Sequence, residues 1–209
     1  MKFIEHAKNE IEKTLINKIE SRECPDQYIG VMRELRQDKK INKRIDINQR
    51  PSEKCLIIIL ESPHINEFGD TPCPANGKTG ENIANFIHEV KDLSNYDDFG
   101  IILINAVQFQ CSLGLKTDLF RDQIFSSVWN DFGKGNFQKR LKSIISKEDI
   151  IVNCCTKGAC NPSLRELVDD SIVELKLSNI ILRRSHPSSW HYKKPQNYVW
   201  KNKSLNKHS

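Results

Sequence analysis

The residues able to do chemistry collect at four places, each directly beside a short apolar run. Leu56-Ile57-Ile58-Ile59-Leu60 ends in Glu61-Ser62-Pro63-His64, and Ile101-Ile102-Leu103-Ile104 ends in Asn105-Ala106-Val107-Gln108. Ile150-Ile151-Val152 ends in Asn153-Cys154-Cys155-Thr156-Lys157-Gly158. Ile180-Ile181-Leu182 leads to Ser185-His186-Pro187-Ser188-Ser189-Trp190-His191. A carboxylate such as Glu61 and an imidazole such as His186 are the usual agents of proton transfer. A carboxamide such as Asn105 both donates and accepts hydrogen bonds. Each also has a structural explanation: a capped turn for Glu61, a satisfied strand end for Asn105, an ordinary loop histidine for His186.

Three further motifs carry less. Gly77-Lys78-Thr79 resembles the end of a phosphate-cradling loop, but the glycine required upstream is Pro72. Cys154-Cys155 near His186 suggests a thiol nucleophile, yet paired cysteines at a buried strand end are more often core residues. His186 and His191 lack the paired ligand spacing of a metal site, so no metal is expected.

The elements that position these clusters follow from the apolar runs. Continuous β-branched runs without alternation mark strands buried on both faces, as in a parallel sheet covered by helices. The runs predict strands at 55–60, 100–105, 149–153 and 178–183. Helical spacing predicts helices near 80–92, 119–131, 136–146 and 161–170 between them, hence right-handed βαβ units. Ligands bind such sheets in the crevice beyond the carboxyl ends of the strands, where all four clusters would converge. The first fifty residues read as a helical extension (1–50) to an α/β domain (51–209). Ile4, Ala7, Ile11, Leu15 and Ile19 give one amphipathic helix over roughly 2–21. Tyr28, Ile29, Met32 and Leu35 suggest a second, and 38–52 a basic connector.

Composition bounds the class. With 209 residues, 38% of them hydrophobic and 28% charged, the chain can bury a substantial core. No run is long enough to span a bilayer and the first residues do not open a secretory signal. Seven cysteines, an odd number, fit reduced thiols, so a cytoplasmic protein is expected. A net charge of +5 does not by itself identify a nucleic-acid binder. Two basic clusters are better placed for phosphates: Arg36, Lys39, Lys40, Lys43, Arg44 and Arg50, and Lys193, Lys194, Lys201, Lys203 and Lys207. A solvated charged face is the default for either.

Taken in order, the clusters resemble the uracil-DNA glycosylase superfamily. Glu61-Ser62-Pro63 is similar to the Glu-Ala-Pro of its thermophile-type, iron–sulfur branch, and Pro74-Ala75-Asn76-Gly77-Lys78-Thr79-Gly80 to the segment that follows and opens a helix. Asn105-Ala106-Val107 resembles the family's strand-end Asn-x-Val, Cys155-Thr156-Lys157-Gly158-Ala159 falls where the family has a Gly-x-x-Ala turn into a helix, and His186-Pro187-Ser188 matches its last motif. The resemblance covers about 53–205. It implies an α/β three-layer sandwich around a mainly parallel four-stranded sheet, with N-terminal helices added. The family's aromatic that stacks on the flipped base falls at Ala75, leaving Phe68, Phe109 or His64 to supply a ring face. Its cluster-ligand cysteine falls at Phe109 and only Cys24 stands in the N-terminal region, so no iron–sulfur cluster or other cofactor is expected.

The activity implied is hydrolysis of the base–sugar bond of a deaminated or modified base in nucleic acid, in DNA above all. That reaction builds positive charge on the sugar and negative charge on the departing base. The resemblance gives water activation to Glu61, stabilisation of the leaving base to His186, and contact with the base to Asn105, Ser62 and His64. Gly77, Lys78, Thr79, Ser188, Lys193 and Lys194 would contact the nucleic acid, and Trp190 would take the place of the apolar wedge that fills the flipped base's space. The alternative for Trp190 is burial in the core. The alternative for the protein is a non-catalytic nucleic-acid or nucleotide-binding module of the same fold; a different hydrolase using Glu61 and His186 is a third.

Overall fold

A computed structural model describes residues 2–10, 19–51, 54–112 and 120–192. Its centre is a six-stranded mixed sheet: β1 Gln27–Val31, β2 Ile45–Asp46, β3 Cys55–Leu60, β4 Gly100–Asn105, β5 Ile150–Asn153 and β6 Ile180–Arg183. The order across the sheet is β2-β1-β4-β3-β5-β6. β4, β3, β5 and β6 run parallel, whereas β1 is antiparallel to both β4 and β2.

The four parallel strands stand where the apolar runs predict them. Every side chain of β3, β4 and β5 is buried, as a sheet covered on both faces requires. Alternate residues feed two cores. Ile57, Ile59, Ile102, Ile104 and Ile151 pack with residues of α1 Lys2–Glu10, α4 Arg121–Val128, α5 Lys134–Ile144 and α6 Leu164–Glu174. Leu56, Ile58, Leu60, Ile101, Leu103 and Val152 pack with α2 Met32–Asp38, α3 Lys78–Phe86 and Trp190. Helices therefore cover both faces.

The sheet has six strands, not four, because the N-terminal region supplies two. Tyr28 and Ile29 do not begin a helix. They lie in β1 beside the centre of the sheet, where an aromatic and a β-branched residue bury well, and the helix starts only at Met32. Gly30, at φ +114°, sits where the β1–β4 register shifts. Part of the first basic cluster is structural too. Arg44 donates to Gln27 and to the Pro74 carbonyl, Arg50 pairs with buried Asp149 at 2.8 Å, and Arg36 pairs with Asp97. The predicted first helix is seen over Lys2–Glu10; its continuation through 11–18 lies outside the described residues, as does residue 119. Among the described residues no helix is long and apolar enough to cross a membrane.

Candidate active site

The carboxyl ends of the parallel strands line up in register, Leu60 beside Asn105 and Ile59 beside Asn153, so the segments that follow emerge together. Beyond them lies a cavity of about 300 Å³, lined among others by Glu61, Ser62, His64, Glu67, Arg121 and His186. This volume is at the small end of the range for ligand sites.

Glu61 follows β3 directly and is only 6% exposed. Its two oxygens face different groups. Arg121 Nη1 is 3.7 Å from Oε1, while His186 Nε2 at 3.5 Å and the Thr156 amide at 3.4 Å face Oε2. Local backbone chemistry delivers these partners. Asp122 takes the Arg121 guanidinium at 2.8 Å and accepts the Ala159 amide, tying the start of α4 to the loop after β5. Gly158, at φ +69°, makes that approach feasible, since a Cβ there would lie 2.8 Å from Asp122 Oδ2.

His186 is set by its own turn. Its Nδ1 accepts the Ser188 amide at 3.2 Å and lies 2.8 Å from the Ser188 hydroxyl. A backbone N–H only donates, so in the neutral ring the proton sits on Nε2, the atom facing Glu61. Asn82 of α3 fastens this turn by donating to the carbonyls of Pro187 and Ser188. The first turn of α3 packs tightly against the loop before it, and Gly80 in that turn is required, because a Cβ would stand 2.1 Å from the Ala75 carbonyl oxygen.

Glu67 was not singled out by the sequence, yet it lines the same cavity at 6% exposure. Burial, the strongest influence, together with the neighbouring Glu61 charge pushes its carboxyl up to about 7, against the opposing pull of the Ala75 and His64 amides. Its signal was available: a second carboxylate in the loop that already carries Glu61. Arg121 had none, standing at a helix start remote in sequence from every motif.

The other expected residues are distributed unevenly. His64, Ser62, Gly77, Lys78 and Thr79 line the cavity. Burial depresses the His64 imidazole's pKa, keeping the ring neutral at pH 7, and of the three rings considered for stacking only His64 lines the cavity. Phe109 stacks instead on Phe3 at 4.8 Å. Asn105, 1% exposed, does not line the cavity; its carboxamide lies behind, against Glu67. Lys78 pairs with Glu81 at 3.1 Å, an exposed contact readily exchanged for another. Ser188 is exposed, but its hydroxyl is engaged with His186.

Trp190 is buried rather than set at the cavity mouth, where a wedge would stand. Its ring is 0% exposed, packs in the α3-side core, and donates its indole N–H to the Ser185 carbonyl at 2.9 Å. A large apolar ring with its single donor satisfied gains more from burial than from water. Lys193 and Lys194 lie outside the described residues, as do Lys201, Lys203 and Lys207. Burial raises the Cys154 and Cys155 thiols far above the ordinary range, which matches core residues rather than nucleophiles. Among the described residues no three His, Cys, Asp or Glu side chains are grouped to hold a metal ion.

Compared with protein-family models, curated proteins and solved structures, the chain shows no significant match. Function must therefore be argued from the cavity itself.

Proposed function

We propose that the protein is an N-glycosylase-like hydrolase, of uracil-DNA glycosylase type, acting on a deaminated or modified base in nucleic acid. The observation that carries this reading is the pairing of Glu61 with His186, 3.5 Å apart, in a base-sized cavity at the carboxyl ends of parallel strands. In this reading Glu61 holds a water and takes its proton as the water oxygen bonds to the sugar carbon. The His186 Nε2–H, fixed in that tautomer by Ser188, donates to the departing base and stabilises its negative charge; loss of such a donor typically costs about 3 kcal/mol. His64 offers the base a neutral ring face where Ala75 offers none. Gly77, Lys78 and Thr79 stand at the start of α3, where unpaired amides favour a flanking phosphate.

Two observations favour a second reading, a nucleotide-binding module without turnover: Ala75 in place of a stacking ring, and the burial of Trp190. One experiment separates them. Oligonucleotides carrying uracil, hypoxanthine, xanthine or common lesions, single- and double-stranded, are incubated with the protein and assayed for abasic sites. Base release from at least one supports the enzyme. Saturable binding with no release from any supports the module.

A further inference from the structure

The cavity holds two carboxylates in unlike surroundings. Glu61 has a guanidinium beside one oxygen and an imidazole beside the other. Among the described residues Glu67 pairs with no cation. Its surroundings are the amides of Ala75 and His64, the Asn105 side chain from the end of β4, and the Cys24 thiol, whose Sγ is 4.0 Å from Oε2. Burial keeps Cys24 a thiol, so it supplies no charge. When two carboxylates share a dry site and only one has a countercharge, the charge settles on that one and the proton on the other.

From this asymmetry we infer that Glu67 is the acid of the reaction: it protonates the departing base while Glu61 acts on the water. The inference rests on the glycosylase reading and deepens it. The step balances as follows. Glu61 accepts a proton from water, and the water oxygen bonds to the anomeric carbon. The carbon–nitrogen bond breaks with its electron pair leaving on the base. The His186 Nε2–H steadies the charge as it grows on the base, and Glu67 gives its proton to another acceptor atom of that base, which departs neutral. Glu61 is then protonated and Glu67 ionised, and exchange with solvent restores both. Burial that holds Glu67 near pH 7 suits this role, because an acid works best when its pKa is close to the working pH. Arg121 is a positioning residue, acting through Glu61.

The class of substrate follows: bases that leave poorly as anions and gain from protonation. The test compares uracil with 5-fluorouracil, whose anion is the better leaving group, in otherwise identical oligonucleotides. Glu67→Gln is expected to lower single-turnover release of uracil about 10²-fold, release of 5-fluorouracil about 10-fold or less, and to abolish the fall in rate above pH 7. Arg121→Gln should lower kcat with little change in KM, and Arg121→Lys should restore it. Equal losses on both bases, or an unchanged high-pH limb, would overturn the acid role while leaving the glycosylase reading standing. Failure of the wild-type protein to release any base overturns both. A melt of Glu67→Gln at pH 5 confirms that the variant is folded.

Discussion

Replacing Glu67 by Gln should make the protein more stable at alkaline pH, although it removes a charge that the backbone hydrogen-bonds. The carboxyl moves from an ordinary 4.5 to about 7 on folding. A raised folded-state value means that the native state holds its proton more tightly than the unfolded chain. The stability Glu67 contributes is therefore complete below pH 4.5 and is lost as pH rises through 7. At about 1.4 kcal/mol per unit, the shift amounts to roughly 3 kcal/mol between pH 4.5 and pH 8, a ceiling that relaxation around the charge lowers. Gln keeps a carbonyl for the Ala75 and His64 amides and does not titrate, so its stability lacks this component. Urea unfolding of both proteins at half-unit steps from pH 5 to 8.5 gives the difference directly, since other titrating groups cancel. The variant should gain on the wild type from pH 5 to about 7, by about 2–3 kcal/mol in all, and the difference should then level off. A difference that stays flat within about 0.5 kcal/mol would refute the claim that Glu67 is buried protonated.

Trp190→Ala should destabilise the fold by about 3–5 kcal/mol, the usual cost of removing a buried aromatic, and shift the thermal midpoint accordingly. A stable variant with weakened duplex binding would instead restore the wedge. Gly80→Ala forces the Ala75 carbonyl aside and should cost more than 1 kcal/mol in urea unfolding while loosening the cavity wall; wild-type stability would show that the loop yields freely. His186→Ala should slow base release by about 10²-fold, with little change in binding, which single-turnover kinetics and fluorescence anisotropy would check together.

How far such a site can be read in advance depends on which physical signal fixes each part. β3, β4 and β5 are legible because burial on both faces demands an unbroken apolar run, and Glu61 and Asn105 are placed by ending those runs. β1 is hidden because Tyr28, Ile29, Met32 and Leu35 share helical spacing across a boundary that Gly30 and pairing with β4 create. Strand-end position also proves insufficient for Asn105, which the structure sets behind Glu67 and out of the cavity lining. Glu67 becomes part of the site only when its loop folds back over the sheet, and Arg121 only when Asp122 and Gly158 bring α4 to the loop after β5. A lone tryptophan has no periodicity, so its burial is decided entirely by tertiary packing.

The most direct test of the central claim is release of free base from the oligonucleotide panel, measured side by side for the wild-type protein and Glu61→Gln. The account predicts that the wild type leaves abasic sites and free base, and that Glu61→Gln binds the same substrate with similar affinity but loses nearly all turnover, because the amide keeps the shape and cannot take a proton. Wild-type turnover in Glu61→Gln would contradict it.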